Sequence, residues 1–183
     1  MKHLISLFLA FSFFVGSLSA QNLIKPFKKG EVLPDSIKKR VLSFSSATPE
    51  EIAEIFVVAL NKRDTTALLN ISLSPKEFKQ WFWPDNESSD PKYNIPTESA
   101  WELHFLNSAK GMLKALSSHG GEKLTFEGLR MKGKPDEYRT FKLHLYPEVI
   151  ARDEKGNQVI IKQIVAIIEM NKRFKILNYT EKR

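Results

Sequence analysis

Residues 158–170 (QVIIKQIVAIIEM) set the pattern to which the rest of the chain answers. Val159, Ile161, Gln163, Val165, Ile167 and Glu169 form one alternate set. Ile160, Lys162, Ile164, Ala166, Ile168 and Met170 form the other. Both sets are mostly apolar and rich in β-branched residues, whose stiff side chains suit a pleated surface. A strand with one wet face would alternate cleanly, so this one needs cover on both faces and is predicted to be the centre of a curved antiparallel sheet. At about 3.3 Å per residue it would run about 40 Å, too long to stay flat, and a bend or bulge is expected within it.

Its neighbours in sequence keep a period of two. A strand is expected from Leu124 to about Met131, turned by residues 133–136 (GKPD). Residues 138–152 make a second long strand, with Phe141, Leu143, Leu145 and Val149 on one face and Thr140, Lys142, His144 and Tyr146 on the other. Residues 153–157 (DEKGN) turn into the central strand, and 171–173 (NKR) turn into a last strand at 174–180. Short turns between successive strands predict a four-stranded antiparallel meander.

Upstream the period is helical. Thr48-Pro49-Glu50-Glu51 is a start signal, a capping hydroxyl before a first-turn proline, with Glu51 placed to return a bond to the Thr48 amide. Ile52, Ile55, Phe56, Ala59 and Leu60 then make an apolar stripe. Asp64 caps a short helix through Asn70, and Ser74-Pro75-Lys76-Glu77 starts a third, residues 75–83, ended by Pro84. Residues 85–96 (DNESSDPKYNIP) are a polar loop, long enough for disorder or a lid. The longest helix, residues 98–118, starts at Thr97 and stops at Gly120-Gly121. A helical wheel puts Trp101, Phe105, Ala109, Met112, Leu113 and Leu116 in one arc, facing a sheet. Helices followed by strands make the class α+β, with N-terminal helices packed on a curved four-stranded antiparallel meander sheet.

The first twenty residues stand apart. Lys2 and His3 precede an apolar run from Leu4 to Val15, and Gly16-Ser17-Leu18-Ser19-Ala20 supplies small residues where a signal peptidase cuts. Residues 1–20 are read as a signal peptide cleaved after Ala20, because the run is too short to span a membrane. Residues 21–47 are an N-terminal arm, with 35–44 either a short helix or tether, read as a loose arm ending in a packed turn. Residues 48–183 are then the domain, expected in the periplasm or outside the cell, with no transmembrane segment in the mature chain. The 183 residues contain no cysteine, which excludes thiol catalysis, cysteine–metal sites and a lipidated cleavage site. The formal charge of +7 becomes +6 once Lys2 leaves with the signal peptide, since 28 − 1 = 27 basic residues then face 21 acidic ones. The basic residues are scattered, so the charge reads as a solvated surface and no nucleic acid is expected as partner.

Thr48-Pro49-Glu50-Glu51, the run 59–64 (ALNKRD), Ala67-Leu68-Leu69 and the closing strand Arg173-Phe174-Lys175-Ile176 resemble the nuclear transport factor 2-like superfamily, the cystatin-like, ketosteroid-isomerase-like cone. The resemblance covers about Thr48 to Tyr179 and includes no catalytic motif. It implies a cone whose concave sheet face and helices enclose a pocket, in a superfamily that includes isomerases, dehydratases, cyclases, epoxide hydrolases and exported binding domains. The segment 74–83 (SPKEFKQWFW) and the loop 85–96 depart from the simplest pattern and are placed to seal the pocket mouth.

Candidate chemistry is sparse. His104 stands beside Trp101 at the border of the long helix's apolar arc, half-buried or at a pocket rim; His119 reads as a helix C-terminal residue and His144 as facing away from the apolar strand face. Gln163 and Glu169 interrupt an apolar face, and Lys175 across the turn is the expected partner of Glu169. No metal-ligand spacing or phosphate loop occurs, so neither metal nor cofactor is expected. Phe78, Trp81, Phe82 and Trp83, with Tyr93 and Trp101 nearby, are the unusual feature, and Phe105 joins the candidate binding residues. Trp81 and Trp83 cannot both face inward on one α-helix, so an exposed tryptophan is expected to touch something. The sequence favours an exported, non-catalytic domain binding an apolar small molecule or a protein partner, as monomer or homodimer. The alternative is a pocket enzyme of isomerase or hydrolase type, using Glu169, His104 or His144.

Overall fold

The computed structural model describes residues 39–181; residues 1–20, read above as a signal peptide, residues 21–38 of the expected arm and the last two residues lie outside that range. The class is α+β, helices first and antiparallel strands after. Helix α1 (Pro49–Asn61) begins as its sequence requires, with Thr48 Oγ1 accepting from the Glu51 amide. Glu51 reaches back one residue further than expected, to the Ala47 amide at 2.9 Å. Asp64 caps α2 (Thr65–Asn70), and Ser74 and Glu77 close a reciprocal capping box on α3 (Pro75–Glu77). The chain then widens into a π turn, Phe78–Phe82, in which the Trp83 amide donates to the Phe78 carbonyl. That extra residue per turn brings Phe78, Phe82 and Trp83 together, with ring centroids of Phe78 at 5.3 Å from Phe82 and 5.8 Å from Trp83. Trp81 and Trp83 are therefore both half-buried, and neither is the exposed tryptophan that an α-helix would have forced. The loop after them is three single 3₁₀ turns, anchored by Asp85, whose carboxylate accepts from Arg139 at 2.9 Å and from the Thr140 amide at 2.8 Å.

The strands form two sheets where one meander was expected. Strands β1 (Thr125–Arg130), β4 (Glu148–Arg152) and β5 (Gln158–Ile161) make a three-stranded sheet in the order β1-β4-β5. Strands β2 (Asp136–Glu137), β3 (Lys142–Leu145), β6 (Ile164–Met170) and β7 (Arg173–Tyr179) make a four-stranded one, β2-β3-β6-β7. Both long predicted strands break at the same level. Tyr146, at φ 54°, and Pro147 separate β3 from β4; Lys162 and Gln163 separate β5 from β6, where the Gln163 side-chain oxygen accepts from the Lys162 amide. The Tyr146 amide still reaches the Val165 carbonyl at 2.6 Å, so the pair of strands passes from one sheet into the other without losing contact. The break reverses faces: Phe141 and Leu143 lie in one core and Val149 in another, although simple alternation put them together.

Two cores result, and β6 serves both. Ile164 and Ile167 pack with Phe56, Leu60, Val149 and Ile161; Ala166, Ile168 and Met170 pack with Phe78, Phe82 and Phe141. This is the two-sided cover that the apolar pattern of 158–170 required. The outer edge of β7 is closed by chain from elsewhere: Ser46 pairs antiparallel with Phe174, and residues 71–73 pair parallel with Ile176.

The long helix, α4 (Thr97–His119), buries Met112 and Leu116 of the arc its large residues suggested, but its inward face is rotated away from Phe105 and Leu113. Its buried residues are Ser108, Gly111, Met112, Ala115 and Leu116, while Phe105 and Leu113 are exposed. Smallness decides this. A Cβ on Gly111 would stand 2.2 Å from the Thr180 nitrogen and 2.4 Å from the Tyr179 carbonyl carbon, so only glycine lets the helix lie this close to β7. Gly111→Ala should lower thermal-unfolding stability by about 2 kcal/mol, although alanine gains roughly 1 kcal/mol of helix propensity. Unchanged stability would mean that the helix stands off further than described.

Candidate functional site

A cavity of about 300 Å³ opens between α4 and residues 69–75, with β7 as its floor. The helix contributes Trp101, His104, Phe105, Ser108, Ala109 and Met112 to it. The opposite wall includes Leu69, Asn70, Leu73 and Pro75, and the floor is Leu177 and Tyr179. At the rim Leu69 and Phe105 are 47% and 46% exposed, large apolar side chains held in water. Among the described residues, no Lys, Arg, Asp or Glu lines the cavity.

The polar groups there are mostly committed. The Tyr179 hydroxyl donates to the Leu68 carbonyl at 3.1 Å and lies 3.1 Å from Ser72 Oγ, which is 2.6 Å from the same carbonyl. Burial pushes the Tyr179 phenol well above its ordinary value, so it stays protonated. Ser108 Oγ accepts from the Tyr179 amide, and Ser74 Oγ from the Glu77 amide. His104 sits among rings, 4.6 Å from Phe78, 5.7 Å from Trp101 and 6.5 Å from Phe82 between centroids. Burial lowers its pKa from 6.5 to about 4, only partly opposed by a hydrogen bond with the Leu177 backbone. The imidazole is neutral at neutral pH.

The sequence-derived site residues divide. Trp101, His104 and Phe105 line the cavity; Phe78 packs behind His104, and Trp81, Phe82 and Trp83 join the core beneath α3. Glu169 is elsewhere, outside the cavity lining, and so is His144. His144 Nε2 and Glu169 Oε2 are 2.9 Å apart on neighbouring strands β3 and β6. Lys175, the expected partner of Glu169, is instead buried against Glu77 at 2.8 Å. The cause is strand alternation: Glu169 is paired with Phe174 in the ladder, which sends Lys175 to the opposite face.

Sequence reasoning missed the wall of residues 69–75 and the floor Leu177 and Tyr179, which only the chain's long-range pairing brings to α4. The parallel pairing of residues 71–73 with Ile176 has no local signature. Among the described residues no group of three or more His, Cys, Asp or Glu side chains is arranged to hold a metal ion, and no helix is long and apolar enough to cross a membrane. Comparison with protein-family models, with curated proteins and with solved structures returns no match.

Proposed function

We propose that this chain is an exported binding domain of the nuclear transport factor 2-like kind, and that it carries an apolar small molecule between α4 and residues 69–75. In this reading the two sheets are the halves of one bent sheet, continuous through the β3–β4 and β5–β6 breaks, as a cone requires. The observation that carries the function is the cavity itself: about 300 Å³, walled mostly by apolar side chains and with no charged side chain among the described residues that line it. That volume sits at the small end of the ~300–1,000 Å³ typical of ligand pockets. The imidazole–carboxylate pair lies outside it, the phenol in it is bonded and protonated, and burial leaves His104 a weak base, so the chemistry on offer favours recognition over proton transfer. A protein partner is favoured by a different surface, the outer face of α4, where Leu103, Leu106 and Leu113 are exposed.

The test is titration with an apolar fluorescent probe such as N-phenylnaphthylamine, beside native mass spectrometry of protein from the exporting cell. We expect saturable probe binding that Ala109→Phe weakens by about tenfold or more, equivalent to ~1.4 kcal/mol, with the fold intact by circular dichroism. Binding that ignores a phenyl ring placed in the cavity would put the probe elsewhere and sink this reading.

A further inference from the structure

We infer that two copies of this chain pair through the outer face of α4, helix against antiparallel helix, about a two-fold axis at the level of Ser108. The inference goes beyond the cavity and stands or falls without it.

Leu103, Leu106 and Leu113 are 61%, 53% and 60% exposed, three large apolar side chains held in water. At about 100° per residue they share an arc of about 80°, on the side of the helix opposite the buried Ser108, Gly111 and Ala115. None of the three lines the cavity. The charges beside them point to what covers them. Glu102 borders the leucines towards the N-terminus, Lys110 and Lys114 towards the C-terminus, and all three are exposed. Lys110 and Lys114, four apart on one helix, repel each other. Spacing then fixes the register. Leu103 and Leu113 stand five residues either side of Ser108, Glu102 and Lys114 six, Leu106 and Lys110 two. An antiparallel copy with its two-fold axis at that level sets Leu103 against the second copy's Leu113 and Glu102 against its Lys114. Leu106 then meets the apolar stem of the second copy's Lys110. The symmetry repeats every contact, as an isologous interface requires, so each leucine is covered and each Glu102 gains a counter-charge. A parallel copy would put Lys114 on Lys114 and Glu102 on Glu102, which like charges oppose. Any other partner would have to supply this order of charge at this spacing; a second copy already carries it. From Leu103 to Leu113 the contact runs about 15 Å of helix, short enough that the dimer belongs among weak, reversible pairs.

The test is sedimentation velocity of residues 21–183 at low salt over about 1–500 µM. A reversible monomer–dimer equilibrium is expected, with a dissociation constant of about 10–100 µM. Leu106→Lys, which sets an ammonium opposite Lys110, should weaken it by about tenfold or more with circular dichroism unchanged. Glu102→Lys and Lys114→Glu should each weaken it by about tenfold, and the two together should return it to within about threefold of the native chain. The register has its own readout, because the chain contains no cysteine. With oxidised glutathione, Leu103→Cys mixed with Leu113→Cys should form a linked dimer faster than either variant alone, whose identical positions lie about 15 Å apart across the axis. A monomer throughout the range, a dimer indifferent to Leu106→Lys, or a charge swap that fails to restore pairing would each overturn the inference. None of these outcomes bears on probe binding in the cavity.

Discussion

Lys175→Met is expected to lower stability by about 3–5 kcal/mol in urea unfolding at neutral pH, a large part of what a domain of this size possesses. Lys175 and Glu77 side chains are 1% and 3% exposed, with Lys175 Nζ 2.8 Å from Glu77 Oε2. Glu77 is also the hub of the α3 start: its oxygens accept from the amides of Ser43 and Ser74, at 2.7 and 2.8 Å, and from the Ser43 hydroxyl at 2.9 Å. Removing the lysine leaves a buried carboxylate with hydrogen bonds but no counter-charge, and that uncompensated charge is the expensive state. Lys175→Met combined with Glu77→Gln, which removes the buried charge but keeps an acceptor oxygen for only one of the two amides, should therefore recover part of the loss. The pH dependence has a definite sign. Burial alone would raise the Glu77 carboxyl, but the bonds from Lys175 and Ser74 outweigh it and hold it below its ordinary 4.5. The carboxylate thus contributes stability above that value, and the contribution fades as pH falls through its depressed folded value. In Lys175→Met the carboxyl rises instead, so the variant's deficit should shrink in acid. A deficit below about 1 kcal/mol at neutral pH would mean that the pair is solvated, as surface pairs are.

That ion pair also marks where reading the sequence stopped working. Thr48, Asp64 and the Ser74–Glu77 box were legible because a cap is decided within four residues. The need for cover on both faces of residues 158–170, and for a bend somewhere along them, was legible from composition and length. The place of the bend was not. It depends on a left-handed backbone at Tyr146 and on a side-chain oxygen of Gln163 turning back to its neighbour's amide, neither of which alters the apolar pattern. The division into two sheets follows from those two residues. The orientation of α4 was legible only in part, at Met112 and Leu116, because a wheel ranks residues by hydrophobicity, whereas close approach to β7 is decided by the absence of a side chain at Gly111. Trp101, His104 and Phe105 were visible as one wall of the site, but Lys175 was read as the partner of Glu169 across the turn because its actual partner is 98 positions away.

Acidification should expose His104 as a stability switch of the free protein. Its pKa of about 4, against 6.5 for an unperturbed imidazole, means that the unfolded chain takes up a proton before the folded one does. Above pH 6.5 both states are neutral there and the group contributes nothing; between 6.5 and about 4 stability falls with pH, by about 3 kcal/mol in all. The cause is burial among Phe78, Phe82 and Trp101, rings that offer no counter-charge to an imidazolium in place of lost water. Carboxylates add their own acid loss, so the measurement is a difference: urea unfolding of the native chain and of His104→Phe at steps between these two values. The native chain should lose about 3 kcal/mol more than the variant across the window. Parallel curves would mean that the ring is hydrated in the folded state.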